Sequence, residues 1–180
     1  IRRQRQMCIR DRLLKGVQPH LLAIISFLII NISQPKEFLT IFSSFSPIKQ
    51  RRIAKEILKR KGEAAFVVFL DGDLGTGKTT LVKEIIFALG VKEKVKSPTF
   101  TIIEPYELNN ENIYHVDLYR IIDPSELEII GLREYLNESN AIIFIEWPEK
   151  SYGYLKKFDL KISLKHLSEN ERKCRIELNT

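Results

Sequence analysis

The chain has 180 residues, of which 44% are apolar and 29% are charged, a composition typical of one globular domain and not of an intrinsically disordered chain. Its net charge of +6 invites a nucleic-acid interpretation, but residues 1–20 hold six basic side chains and one acidic side chain. The rest of the chain carries 23 basic and 22 acidic side chains, so its charge does not predict an extended nucleic-acid surface.

The two cysteines, Cys8 and Cys174, lie near opposite ends of the chain and do not have the spacing of a metal site. Isolated thiols are more typical of a reducing compartment than of a disulfide-stabilised secreted domain. We therefore expect a cytoplasmic protein.

Residues 1–35 differ in character from the rest of the chain. The segment Arg3–Arg12 (RQRQMCIRDR) resembles translated sequencing-adapter sequence, and we expect residues 1–35 to be a non-native extension of a single domain at 36–180. Two alternatives stay open: an extra helix or strand packed on the domain, and a targeting or membrane-associated segment. The apolar run Leu21–Ile32 is shorter than the roughly 20 residues that span a bilayer, and no small-residue cleavage site follows it. We expect no membrane association.

The predicted domain begins with a strand and a helix. Glu37–Ser43 alternates apolar and polar residues as a strand does. Ser46 followed by Pro47 is a typical helix start, because a capping hydroxyl precedes a proline at the first helical position. Apolar residues then recur on one face of the helix, and we interpret the basic residues on its other face as solvated surface.

The most informative stretch is Phe66–Gly90, which has the pattern of a buried strand, a glycine-rich turn and an amphipathic helix. Four residues of the turn match the P-loop pattern G-x-x-x-x-G-K-[ST]: Gly72, Gly77, Lys78 and Thr79. The glycines let the backbone approach an anion, and the helix N-terminus adds N–H groups and a partial positive charge. The lysine would reach the outer phosphates of a nucleotide, and the threonine would ligate Mg²⁺.

Two further strands are predicted after this helix. Ser97–Tyr106 is interpreted as a strand, Asn109–Asn112 as a turn and Ile113–Arg120 as a second strand. The period of two in the second strand puts His115 and Asp117 on the same face of the sheet.

The last third of the sequence predicts a short helix, a buried strand and a hairpin. The helix starts at Asp123–Ser125 and is interrupted at Gly131, and the apolar run Ala141–Ile145 is typical of a buried parallel strand. Phe158–Leu164 and Cys174–Leu178 form the predicted hairpin. The whole pattern predicts an α/β fold of the P-loop NTPase type, with a mostly parallel central sheet, flanking helices and antiparallel edge strands.

Two acidic residues are candidates for chemistry beside the P-loop, which needs a carboxylate at the end of a neighbouring buried strand. Glu146 is the first polar residue after the run AIIFI, and Asp117 shares a strand face with His115. Each carboxylate could instead be structural, at a strand end or at the edge of the core. We interpret His115 as structural because no third ligand with zinc spacing accompanies it. Thr99 could sense a terminal phosphate as switch threonines do, although its spacing alone leaves this open.

Five segments in register resemble the TsaE (YjeE) family of bacterial proteins: GDLGTGKTT, SPTFTIIEPYE, HVDLYR, DPSELEIIGLREYL and IEWPEK. The resemblance covers Glu37–Leu178. It implies a small P-loop ATPase that binds ATP and Mg²⁺ and works with TsaB and TsaD in the threonylcarbamoyl modification of adenosine in tRNA, with tRNA as an indirect partner. The absence of an N-K-x-D guanine-reading segment from the sequence also favours ATP over GTP.

The resemblance assigns roles to individual residues. Lys78, Asp117 and Glu146 are the expected catalytic residues, and Thr79 and Glu146 are the expected Mg²⁺ ligands. The expected nucleotide contacts are the loop, the start of its helix and three more distant positions: Gly72, Asp73, Leu74, Gly75, Thr76, Gly77, Lys78, Thr79, Thr80, Thr99, Trp147 and Arg172. Asp117 is expected near the metal and the γ-phosphate.

The resemblance also leaves points open. Ser97–Phe100 resembles the first switch, but Gln50 stands where a threonine is usual, which leaves nucleotide contacts from the first helix undecided. Either carboxylate could position the attacking water. We expect slow hydrolysis alone and marked stimulation by TsaB and TsaD, because no second arginine is placed as a finger.

Two other function classes remain as alternatives. A small-molecule kinase would need an arginine-rich lid, and no such stretch lies between Gly90 and Ala141. A non-catalytic binding module would use ATP only to order the Ser97–Phe100 loop for a partner.

Overall fold

A computed structural model describes residues 37–42, 47–109, 111–168 and 171–179. These residues belong to one compact unit, Lys36–Thr180. The interpretation of residues 1–35 lies outside the described residues. No helix in the described ranges is long and apolar enough to cross a bilayer.

The elements follow the order expected for an α/β fold. The described strands are β1 (Glu37–Phe42), β2 (Phe66–Asp71), β3 (Ile103–Leu108), β4 (Glu111–Asp117), β5 (Ala141–Glu146), β6 (Leu160–His166) and β7 (Arg172–Leu178). The described helices are α1 (Pro47–Arg60), α2 (Lys78–Leu89), α3 (Ser125–Ile129) and α4 (Leu132–Leu136), with a 3₁₀ turn at Pro148–Ser151.

The seven described strands form one sheet in the order β1-β7-β6-β2-β5-β4-β3. The central pairs β6–β2, β2–β5 and β5–β4 are parallel, and the three pairs toward the two edges are antiparallel. The predicted α/β class, with a parallel centre and antiparallel edges, is therefore confirmed, as are the buried strand β5 and the β6–β7 hairpin.

Both faces of the central strands are buried, which explains why β2 and β5 are continuous apolar runs. Val68 and Leu70 point into a core with α1 and α2, whereas Val67 and Phe69 pack in a second core with α3 and α4. This alternation along β2 is the period of two expected for a strand covered on both faces. Because core side chains fill both faces of the central strands, the candidate functional side chains lie at the strand ends.

The predicted strand Ser97–Tyr106 is wrong in its first half. Residues 98–102 form a turn, in which the Ile102 amide donates to the carbonyl of Pro98 at 2.7 Å, and β3 begins only at Ile103. Ile102 has a φ of 66°, which is incompatible with a continuous strand. The alternating sequence resembled a strand, but it forms a loop that brings Thr99 toward the end of β4.

The next predicted strand is shifted by two or three residues. β4 starts at Glu111, so Asn112 belongs to the strand and not to the predicted turn, and β4 ends at Asp117. The chain turns there because the Asp117 carboxylate accepts a hydrogen bond from the Tyr119 amide at 3.0 Å. The strand end therefore carries a carboxylate that is fixed by its own backbone.

Candidate nucleotide-binding site

The candidate site lies at the carboxyl ends of three adjacent parallel strands, where ligands of open α/β sheets bind. The glycine-rich loop follows β2, Asp117 ends β4 and Glu146 ends β5. In the strand register Glu146 is level with Leu70 of β2 and with Asp117 of β4. Parallel pairing thus brings together the loop and both predicted carboxylates.

The loop approaches strand β6 so closely that it requires glycine at its first position. Gly72 has a φ of 144°, and a Cβ at this position would lie 2.4 Å from the carbonyl oxygen of Leu164. The loop is closed on itself by Thr76, whose Oγ1 donates to the carbonyl of Asp73 at 2.8 Å.

The loop ends at Gly77, which caps α2 with a φ of 94° and without a side-chain hydrogen bond. Because the cap residue has no side chain that accepts a hydrogen bond, it does not occupy the first-turn amides of α2. This end of α2 is therefore chemically suited to an anion.

Lys78 is buried and turned back over the loop. Its Nζ donates to the carbonyls of Gly72 at 2.5 Å and Asp73 at 3.0 Å, and it lies 3.7 Å from the centre of the Trp147 ring. Burial lowers the pKa of Lys78, and nearby carboxylates, led by Glu146, oppose that effect. The ammonium is thus held at the centre of the loop by carbonyl oxygens and an aromatic face.

Glu146 is fixed through both oxygens of its carboxylate. The Thr79 hydroxyl donates to Oε2 at 2.9 Å, and Nε2 of His115 lies 2.7 Å from Oε1. Glu146 is 2% exposed and His115 is 0% exposed. The predicted metal ligands Thr79 and Glu146 are therefore in contact with each other, and the buried His115 contacts the other oxygen of Glu146.

Asp117 is held less firmly. Its Oδ1 accepts the Tyr119 amide, and its Oδ2 lies 3.5 Å from the hydroxyl of Thr99, a length at which a hydrogen bond is weak. Burial raises the pKa of Asp117, the Tyr119 hydrogen bond opposes this, and the Glu146 charge adds to the increase. Thr99 also contacts Ser97 at 2.9 Å, so the predicted switch loop reaches the site through this carboxylate.

Trp147 borders the site in a strained backbone conformation. Its φ is 57°, a left-handed value that is unusual for a bulky residue, and its ring lies 4.9 Å from that of Tyr119. Such conformations cost about 1–3 kcal/mol and cluster at functional sites. The strain places the indole directly over Lys78.

Other predicted contacts lie at the edge of the site. Asp73, Leu74 and Gly75 of the loop and Thr80 of α2 are exposed. Gln50 is 3% exposed and thus belongs to the packed part of α1.

Arg172 lies at the start of β7, in the β6–β7 hairpin. Its Nη1 donates to the carbonyls of Ser168 at 3.0 Å and Glu171 at 3.1 Å, within the β6–β7 turn. In the register Arg172 faces His166, whose Nε2 lies 4.0 Å from a Cβ built on Gly75. The hairpin therefore borders the P-loop through His166, with Arg172 one strand beyond it.

A family model described as "Threonylcarbamoyl adenosine biosynthesis protein TsaE" matches residues 46–174. The chain belongs to the TsaE family. It is 42% identical over 119 residues to the tRNA threonylcarbamoyladenosine biosynthesis protein TsaE of Haemophilus influenzae, a match that covers 66% of this chain and 75% of that protein. It is 39% identical over 128 residues to the protein of that name from Aquifex aeolicus, covering 69% of this chain and 86% of that protein.

A solved structure supports the same family. The crystal structure of Bacillus subtilis YdiB matches with a TM-score of 0.58 and 28% identity, covering 80% of this chain and 87% of that one. The predicted resemblance to the TsaE family is confirmed. Family membership places the chain in tRNA threonylcarbamoyladenosine biosynthesis.

The donor set of this TsaE-family site fits Mg²⁺ in a complex with phosphate. Mg²⁺ is commonly held by one or two carboxylates and completed by substrate phosphates and water. Thr79 and Glu146 supply adjacent hard oxygens, 2.9 Å apart. Among the described residues, no group of three His, Cys, Asp or Glu side chains could hold a metal ion alone. The two oxygens thus fit a cation whose remaining ligands are phosphate and water.

Two features of the site have no direct signal in the sequence. His115, interpreted from the sequence as structural, contacts Glu146, and only its position on the same strand face as Asp117 points toward the site. The left-handed backbone of Trp147 had no sequence signal, because glycine and asparagine are the residues that usually mark such a conformation.

Proposed function

We propose that this TsaE-family chain is a Mg²⁺-dependent ATPase that acts with TsaB and TsaD in threonylcarbamoyladenosine formation. One observation carries the proposal: Thr79, at the end of the P-loop, donates to Glu146 of the neighbouring strand, while Lys78 beside it is buried against the loop carbonyls. Loop, cation and carboxylate are the parts that phosphoryl-transfer sites of this kind share.

The loop and the start of α2 bind the phosphates in this proposal. Gly72 and Gly77 keep the backbone open to the ligand, and Lys78 moves its ammonium from the loop carbonyls to the outer phosphates. That exchange replaces neutral acceptors by charged oxygens, which form stronger hydrogen bonds with an ammonium. Trp147, whose ring lies 3.7 Å from the Lys78 ammonium, would lie beside the bound nucleotide.

Thr79 and Glu146 would hold the cation, which neutralises charge on the outer phosphates when bound. Glu146 is engaged at both oxygens, whereas Oδ2 of Asp117 has only weak contact with Thr99. We therefore assign Asp117 to orienting the attacking water.

Hydrolysis by the chain alone is proposed to be slow. Two arginines of the chain already have partners, so neither is placed as an arginine finger. Arg120 stacks over the Phe100 ring at 4.8 Å, and Arg172 donates hydrogen bonds to carbonyls of its own turn. An arginine supplied in trans raises turnover of such sites about 10³- to 10⁵-fold. A partner that contributes one would account for activity that depends on the assembled TsaB–TsaD complex.

Phosphate release from ATP, measured with the chain alone and with purified TsaB and TsaD homologues, tests the proposal. We expect slow turnover alone, a large increase with the partners and no turnover for Lys78→Ala. Lys83→Ala is the matched control, since Lys83 is a half-buried lysine on the same helix. Equal turnover with and without partners contradicts the partnership, and normal turnover by Lys78→Ala contradicts the P-loop assignment.

A further inference from the structure

We propose that His115 is a positioning residue that fixes the Glu146 carboxylate toward Thr79 and thereby sets the Mg²⁺ affinity of the nucleotide complex. The inference rests on the proposed function, which assigns Thr79 and Glu146 to the cation. It concerns a residue one layer beneath the site, which touches neither nucleotide nor metal in this proposal.

The geometry leaves His115 one role at Glu146. His115 lies in the middle of β4, opposite Phe144 of β5, and Glu146 is two residues further along the same parallel pair. Side chains two residues apart share a strand face, so the imidazole reaches diagonally across to the carboxylate. Its Nε2 is 2.7 Å from Oε1, at a position where His115 is 0% exposed and Glu146 is 2% exposed.

The hydrogen bond has a defined direction. A carboxylate that ligates a cation only accepts hydrogen bonds, so in the proposed complex Nε2 of His115 is the donor to Oε1 of Glu146. Among the described residues, Nδ1 of His115 has no hydrogen-bond partner. Within the described part of the chain, Glu146 is therefore the only hydrogen-bond partner of the His115 ring.

The two carboxylate oxygens of Glu146 therefore have different roles in this proposal. With Oε1 held by His115, rotation of the carboxylate is prevented, and Oε2 stays directed at the Thr79 hydroxyl 2.9 Å away. Without the donor, Oε1 would be buried and unpaired, which is unfavourable for a charged group. The carboxylate would then turn to recover a partner, and the two proposed cation ligands would separate.

The test compares two substitutions that differ in one donor. His115→Gln can place an amide N–H near the position of Nε2, whereas His115→Leu fills similar space without a donor. Binding of ADP is measured by titration calorimetry in excess EDTA and in excess Mg²⁺, and Mg²⁺ titration of the ADP complex is followed by fluorescence. Trp147 is the single tryptophan of the chain, so the optical signal reports the site directly.

We expect His115→Leu to bind ADP in EDTA as the unsubstituted protein does and to lose about 10-fold in Mg²⁺ affinity, the lower end of the effect seen for residues that orient metal ligands. His115→Gln should recover most of that loss. Tyr114→Phe is the matched control: it removes the hydrogen bond from the neighbouring side chain of β4 to Glu138 and should leave the Mg²⁺ dependence unchanged.

Three results would overturn the inference. His115→Leu could keep the full Mg²⁺ affinity, or it could lose ADP binding equally in EDTA and in Mg²⁺, which is what a purely structural role predicts. If His115→Leu does not fold, His115→Asn replaces it, because the shorter amide does not reach Glu146; equal Mg²⁺ affinity of the Asn and Gln variants then contradicts positioning. An unsubstituted protein without any Mg²⁺-enhanced ADP binding would instead contradict the proposed function itself.

Discussion

The close approach of the P-loop to β6 predicts that Gly72→Ala is one of the most damaging single-methyl substitutions in the domain. The added Cβ would lie 2.4 Å from the Leu164 carbonyl oxygen and 3.1 Å from Oγ1 of Thr76. Leu164 lies directly after the residues of β6 that pair with β2, and it is itself paired with Cys174 of β7, so a shift of its carbonyl would disturb this part of the sheet.

The magnitude follows from two separable contributions. A non-glycine residue at a φ of 144° costs about 1–3 kcal/mol in backbone strain, and an extra methyl group forced into a packed region costs about 1–3 kcal/mol more. The sum is about 2–6 kcal/mol. For a domain of this size each kcal/mol lowers the melting temperature by about 2–4 °C, so a mid-range loss of about 4 kcal/mol is a decrease of about 8–16 °C.

Two other glycines provide controls for the two contributions. Gly153 has a φ of 87° and no atom within 4 Å of a built Cβ, so Gly153→Ala tests strain alone. Gly62 has open space and no positive φ, so Gly62→Ala should change stability little. Thermal unfolding followed by circular dichroism should rank the decreases Gly72, Gly153, Gly62. A Gly72→Ala protein that melts together with Gly153→Ala would refute the steric argument.

Two further predictions concern the carboxylate and the tryptophan at the site. Burial raises the pKa of Asp117, so the folded state binds its proton more tightly than the unfolded state does. The free energy of unfolding therefore decreases as pH rises from about 4, the usual pKa of an aspartate, through the folded value. Asp117→Asn should therefore raise the melting temperature at pH 7 but leave it unchanged below about pH 4, and it should abolish ATP turnover. A lower melting temperature of the Asn variant at pH 7 would contradict the burial argument. At Trp147, glycine should be more stable than alanine by about 1 kcal/mol, because only alanine keeps the left-handed strain. Urea unfolding of Trp147→Gly and Trp147→Ala measures this, and the usual order, with alanine more stable, would show that the backbone relaxes.

The elements that sequence analysis predicted well are those in which every local signal agrees. The strand, glycines and helix of Phe66–Gly90 each have a sequence signature, and the buried run of β5 ends on Glu146. These features specify where the candidate site begins and which carboxylate lies nearby. They follow from hydrophobic period and backbone conformation, which are local properties.

The features that could not be predicted depend on contacts across the chain. The turn at 98–102 has the alternation of a strand, and Ile102 adopts its φ of 66° only within the folded loop. The contact between His115 and Glu146 joins residues 31 positions apart and depends on the register of β4 against β5. The approach of β6 to Gly72 likewise requires the strand order, which no local pattern specifies.

The pairing at one edge of the sheet has a consequence for how the domain is made. β1 comes first in the described sheet, yet its partner is β7, with Glu37 opposite Glu177. During synthesis, β1 therefore has no template until the last strand has emerged from the ribosome, and closing this long loop is slow. The neighbouring positions of Glu37 and Glu177 also make the domain a natural candidate for circular permutation, in which a short linker joins these ends and new termini open in an exposed turn.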